Sequence, residues 1–98
     1  MRLSEQQISA IKKAFEATFK TGDLYLFGSR IDDGARGGDI DLFVEPSSRL
    51  GAEIALRKKI DFLLAIKSGI GEQKVDVVID TGEGKQIEVE ARNTGVKL

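Results

Sequence analysis

The stretch from Gly28 to Asp41 constrains the fold of this chain of 98 residues more than any other. The short apolar segment Leu24–Phe27 leads directly into Gly28 and Ser29, which predicts a strand buried on both faces and ending in a turn. A second strand is predicted for Asp39–Glu45, which is apolar after its two aspartates. Any fold must therefore place a polar turn between two strands.

Two further segments have the apolar spacing of amphipathic helices, Ser4–Phe19 and Leu50–Lys67. The first begins with a serine suited to N-capping, and the second ends at Gly69 or Gly71. The apolar residues that we expect on the core-facing side of the second helix are Leu56, Ile60, Leu63 and Leu64. Strict alternation over Lys74–Asp80 predicts a third strand.

The C-terminal segment is compatible with two structures. Ile87–Ala91 alternates as a strand would, yet Ile87 and Ala91 are also four residues apart, and Gly95 is placed to cap a helix. We expect a helix of about two to three turns that ends near Thr94. Val96–Leu98 would then form a short edge strand.

The composition bounds the class of protein. With 41% hydrophobic and 32% charged residues, we expect residues 1–98 to form a single globular domain. No apolar run approaches the roughly 20 residues that span a bilayer, so we expect a cytoplasmic protein without a membrane partner. The 15 basic and 16 acidic residues are scattered, which argues against direct binding of long nucleic acid.

The chain contains neither histidine nor cysteine. Catalytic relays that depend on histidine are therefore excluded, as are zinc sites built from thiolates or imidazoles. A metal would have to be bound by oxygen atoms, which favours Mg²⁺ or Mn²⁺.

Three aspartates are the candidate metal ligands. Asp39 and Asp41 are two apart on a strand, so both side chains point to one face with Cα atoms about 6.5 to 7 Å apart. Asp76 can be the third ligand if a neighbouring strand brings it to the same face, where it would also activate an attacking group or accept its proton. The acidic pair Asp32-Asp33 falls on the predicted turn, and Asp80 ends its strand, so we assign no metal to them.

Gly28, Ser29 and Arg30 are the candidate phosphate-binding residues. A glycine lets a phosphate approach the backbone, the serine hydroxyl adds a donor, and the arginine can contact a terminal phosphate. Taken alone, a Gly-Ser pair is usually a simple turn, and an Asp-x-Asp sequence is usually a surface feature. Their occurrence together with Asp76, in this order, favours a functional site.

These residues resemble the signature of the DNA polymerase β-like nucleotidyltransferase superfamily. The matching segments are Phe27-Gly28-Ser29, then, after a gap of nine residues, Asp39-Ile40-Asp41-Leu42, and later Val75-Asp76-Val77. More narrowly, the chain resembles a minimal nucleotidyltransferase. The resemblance implies an α/β (α+β) palm with a small mixed sheet flanked by helices, Mg²⁺ held by Asp39, Asp41 and Asp76, and ATP phosphates held at Gly28 and Ser29.

Members of this group are commonly encoded beside a small helical HEPN protein, as the antitoxin of a toxin-antitoxin pair. The resemblance implies AMPylation, in which AMP is transferred from ATP to a tyrosine hydroxyl of the toxin. A chain of this size has little surface to enclose a nucleotide and an acceptor, so a partner is expected to complete the pocket.

Two alternatives stay open. The chain could be an inactive antitoxin or interaction module that acts by direct binding, or a small-molecule nucleotidyltransferase of the aminoglycoside type. The sequence leaves open the base specificity, the acceptor, the number of nucleotides transferred, and whether the protein forms homo- or hetero-oligomers.

Overall fold

The computed structural model of the protein describes residues 3–28, 40–71 and 73–98. Within these ranges the chain forms three helices and four strands, in the order α1 (Glu5–Phe19), β1 (Asp23–Phe27), β2 (Ile40–Glu45), α2 (Ala52–Ile70), β3 (Val75–Ile79), α3 (Gln86–Thr94) and β4 (Val96–Lys97). The strands make one sheet in the order β3-β2-β1-β4. Only β2 and β3 are parallel, whereas β1 is antiparallel to both of its neighbours. The predicted fold class, a small mixed sheet flanked by helices, is confirmed.

The hydrophobic core lies between one face of the sheet and the helices α1 and α2. Its most deeply buried side chains are Ile11, Leu24, Leu26, Ile40, Leu42, Val44, Phe62, Ile66 and Val77. Phe62 also packs edge-on against Phe15 and Phe19, with ring centroids 6.1 and 5.5 Å apart. Because burial of one such side chain contributes about 1.5 to 3 kcal/mol, this layer accounts for most of the stabilisation of the sheet.

The N-terminus of α1 is capped as predicted. The Ser4 hydroxyl accepts a hydrogen bond from the Gln7 N–H at 3.1 Å, and the Gln7 side chain accepts one from the Ser4 N–H at 2.9 Å. The helix ends at Phe19 and its C-cap is Lys20, whose φ of 67° is a left-handed conformation usual for glycine. Gly22 follows the helix and lies close to the start of the loop after β2. A Cβ at this position would be 2.6 Å from the carbonyl oxygen of Glu45, so there is no space for a side chain.

Ser4→Ala should lower the free energy of unfolding by about 1 kcal/mol. The substitution removes the hydroxyl that accepts a hydrogen bond from the Gln7 N–H, which has no acceptor within the helix. Urea denaturation measures this loss. Ser9→Ala is the matched control, because Ser9 is exposed on the same helix and alanine is the better helix former. If the two variants were equally stable, the capping box would contribute nothing.

The predicted core-facing side of α2 is wrong for three of its four residues, and only the fourth, Leu63, packs against the core. Leu56, Ile60 and Leu64 are 59%, 49% and 62% exposed, whereas Phe62 and Ile66 are fully buried. The helix carries two apolar stripes, and periodicity alone cannot tell which of them meets the sheet. The larger Phe62 ring fills the space beside the aromatic rings of α1, and the other stripe is left outside.

The contact between α1 and α2 fixes this orientation. Gly69 lies inside the helix, where a Cβ would be 2.9 Å from the Cβ of Ala10, so its role is close packing against α1. Lys58 reaches the end of α1 and donates a hydrogen bond to the Thr18 carbonyl at 2.8 Å. Of the two predicted ends, Gly71 is the correct one. No described helix is long and apolar enough to cross a lipid bilayer.

The helix α3 lies on the other face of the sheet. It ends at Thr94 with Gly95 as its C-cap, as predicted, and the Gly95 N–H donates to the Ala91 carbonyl at 2.8 Å. The chain then forms β4, which pairs antiparallel with β1 as the predicted edge strand. On α3, Glu88 and Ala91 are buried and Ile87 is exposed.

Candidate metal and nucleotide site

Three strand ends meet at one edge of the sheet. The antiparallel pairing brings the end of β1 beside the start of β2, and the parallel pairing brings the start of β3 to the same edge. Gly28 directly follows β1, Asp41 is the second residue of β2, and Asp76 is the second residue of β3. Three predicted site residues from separate parts of the chain are therefore brought together.

Asp41 and Asp76 are direct partners in the parallel pairing of β2 and β3. Directly opposed residues share a face of the sheet, and neighbouring strands are about 4.8 Å apart, so both carboxylates can reach a single cation. Asp41 is also paired with Phe27 across the antiparallel side. To act as a ligand together with Asp41, Asp76 must lie on a neighbouring strand and on the same face of the sheet. Both requirements are met.

The two carboxylates repel one another. At about 5 Å, and with Asp76 exposed to solvent, their interaction costs roughly 1 kcal/mol. Asp41 is half-buried and Asp76 is exposed. Among the described residues, none forms a hydrogen bond or ion pair with Asp76. A hard divalent cation would relieve this repulsion, and oxygen donors are the ligands that Mg²⁺ prefers, so the pair fits the implied metal.

Gly28 makes room for one of these carboxylates. Its φ is 78°, and a Cβ at this position would collide with Oδ2 of Asp41. The sequence predicted this glycine as a place for phosphate to approach, and its exposed backbone is compatible with that role. The structure adds a second reason for glycine, because any side chain would displace Asp41.

The remaining predicted residues, Ser29, Arg30 and Asp39, lie outside the described residues, as does the acidic pair Asp32-Asp33. Within the described ranges, no three Asp or Glu side chains lie close enough together to bind one metal ion. The described part of the site thus supplies two carboxylates. The third, from Asp39, stays a prediction.

Asp80 is held by protein groups at the other end of the same face. Its Oδ2 accepts a hydrogen bond from Arg92 at 2.7 Å, and its Oδ1 accepts one from the Gly82 N–H at 2.9 Å. Arg92 also donates to Glu45 at 2.8 Å, and its guanidinium lies 5.7 Å from the centre of the Phe43 ring. Hydrogen bonding to Glu45, with the charges of both acids, raises the pKa of Arg92. These contacts hold α3 against the sheet, so Asp80 has a structural role.

Glu88 is a buried acid that the sequence did not single out. Its Oε2 accepts hydrogen bonds from the Thr81 hydroxyl at 2.8 Å and from the Thr81 N–H at 3.3 Å. Its Oε1 has no hydrogen-bond partner in the described part of the chain. An acid in the first turn of a helix is ordinarily read as a solvated charge, so the sequence carried no signal for its burial.

Comparison with models of known families gives no match, and comparison with the sequences of curated proteins gives none either. The functional argument therefore rests on the motif and on the positions of Gly28, Asp41 and Asp76.

Proposed function

We propose that this protein is a metal-dependent nucleotidyltransferase that transfers AMP from ATP to a hydroxyl group of a partner protein. One observation carries the proposal: Asp41 and Asp76 lie directly opposite each other on parallel strands, beside a glycine that accommodates the Asp41 carboxylate. This arrangement supports the role that the motif implies for these residues.

The phosphate groups of ATP would be bound at Gly28 and Ser29, with Arg30 available to a terminal phosphate. A glycine with positive φ and an exposed backbone allows a phosphate oxygen to approach the chain closely. The triphosphate would then lie next to Asp41, which is the nearest described carboxylate to this backbone.

Asp39, Asp41 and Asp76 would hold Mg²⁺ or Mn²⁺. The bound ion supplies neutralisation of phosphate charge and Lewis-acid polarisation of the phosphoryl oxygens. Asp76 would accept the proton of the acceptor hydroxyl as its oxygen bonds to the α-phosphorus. The bond from the α-phosphorus to the bridging oxygen breaks, and pyrophosphate leaves. Most of the rate enhancement would come from positioning and electrostatic stabilisation.

The acceptor would be a tyrosine of a small helical HEPN toxin, for which this chain would act as antitoxin. The resemblance is the source of this assignment, and the exposure of Asp76 supports it, because a second protein could enclose a nucleotide at this end of the sheet. A cytoplasmic location belongs to the same proposal, since ATP is the donor.

The test is to incubate the purified chain with ATP, Mg²⁺ and the helical protein encoded by the adjacent reading frame. Intact-mass spectrometry should show that the helical protein gains the mass of one or more AMP units, with the modification on a tyrosine. Inhibition of the toxin without a mass gain would support a binding role instead. Modification of an aminoglycoside in the absence of any protein partner would support the small-molecule alternative.

A further inference from the structure

The outer side of α2 carries an apolar stripe that is about half exposed. The stripe consists of Leu56, Ile60 and Leu64, which are spaced four residues apart and are all about half exposed or more. Four-residue spacing places these side chains one above another along the helix. The stripe lies on the side of α2 away from Phe62, and at one end Leu56 borders a groove with Val77 and Ile79 of β3.

The residues along this stripe are arranged symmetrically about Ile60. Leu56 and Leu64 are each four residues from it, and Glu53 and Lys67 are each seven residues from it. If a second copy of the helix packs antiparallel with Ile60 on the two-fold axis, Leu56 lies opposite Leu64 of the second copy. Glu53 then lies opposite Lys67, so opposite charges meet at both ends of the stripe.

The surface of α2 also has space for Leu64 of the second copy. A groove of about 230 Å³ is lined by Glu53, Leu56, Arg57, Ile60 and Asp61. The first four of these residues have the spacing i, i+3, i+4 and i+7, which forms the four-residue hole of knobs-into-holes packing. The antiparallel arrangement centred on Ile60 places Leu64 of the second copy over this hole.

We propose that the protein forms a homodimer in which α2 packs antiparallel against α2 of a second copy, with the two-fold axis at Ile60. The apolar stripe supplies the buried centre of the interface, and the Glu53–Lys67 pairs lie at its ends. A helix of 19 residues is about 28 Å long, so the interface falls below the usual 800 Å² per partner and dimerises in the micromolar range.

The dimer leaves the candidate metal site accessible. Asp41 and Asp76 project from the face of the sheet that carries α3, whereas α2 covers the opposite face. Each copy therefore keeps its own acidic edge open to a nucleotide and to a partner protein. The dimer does not depend on the proposed function, and its test needs no activity.

Sedimentation velocity at protein concentrations from about 1 to about 200 μM tests the proposal, since this range brackets micromolar association. The wild-type chain should change from the monomer mass to twice that mass. Ile60→Asp should weaken dimerisation by about a hundredfold or more, because two aspartates would be buried together at the axis. Circular dichroism checks that this exposed position leaves the fold intact.

Ile54→Asp is the matched control. Ile54 is 55% exposed on the same helix but lies neither on the stripe nor in the groove, so this variant should dimerise as the wild type does. Glu53→Lys should weaken the dimer about threefold to tenfold, and adding Lys67→Glu should restore it. A wild type that stays monomeric, or a dimer that Ile60→Asp leaves unchanged, would overturn the proposal.

Discussion

Asp41→Asn should transfer nucleotide at least about a thousandfold more slowly than the wild type, while the protein stays folded. Asparagine keeps the size of the side chain but removes the charge that binds a cation, and it also relieves the repulsion from Asp76 across the strand pair. Initial rates of AMP transfer and urea denaturation measure the two effects. Loss of activity without loss of stability is the signature of a functional carboxylate.

Asp61→Asn is the control for this change. Asp61 is an exposed aspartate on α2, behind the opposite face of the sheet, so its amide variant should keep wild-type transfer rates. Asp76→Asn should behave like Asp41→Asn. An Asp41→Asn enzyme with more than a tenth of wild-type activity would show that the aspartate pair does not carry the reaction.

Gly28→Ala should reduce nucleotide transfer by about a hundredfold or more, because displacing a catalytic group by even 1 Å has a cost of this order. The new methyl group would occupy the position of the Asp41 carboxylate oxygen, which would have to move. The positive φ of 78° adds a destabilisation of about 1 to 2 kcal/mol for any residue with a side chain. Transfer rates and urea denaturation separate the two effects.

Gly84→Ala is the matched control, because Gly84 has a φ of 70° and open space where the Cβ would be placed. It should lose a similar amount of stability and retain its activity. If Gly28→Ala and Gly84→Ala had the same transfer rate, the contact between Gly28 and Asp41 would have no functional importance.

The secondary structure could be predicted from the sequence wherever one local signal was decisive. Ser4 marks the start of α1, alternation identifies β3, and Gly95 favours the C-terminal helix. The packing of α2 could not be predicted in this way. Both of its sides are apolar, and the choice between Ile60 and Phe62 depends on the shape of the space beside α1.

The residue types of the site could be predicted from the sequence. Their geometry could be predicted only on the condition that β2 and β3 are neighbouring strands. Strand alternation predicted which way Asp76 points, yet its pairing with Asp41 required the strand order, which local sequence does not specify. The contact between Gly28 and Asp41 depends on the same pairing. The burial of Glu88 and the contacts of Arg92 depend on how α3 crosses the sheet, and periodicity carries no information about that.

The central claim is that Asp41 and Asp76 bind one divalent cation together. Titration of Mn²⁺ into the protein, with free Mn²⁺ followed by electron paramagnetic resonance, tests it most directly, because carboxylate sites for Mg²⁺ also accept Mn²⁺. We expect one bound ion per chain, with affinity at least about tenfold weaker in both Asp41→Asn and Asp76→Asn and unchanged in Asp61→Asn. Wild-type affinity in the Asp76→Asn variant would contradict the account.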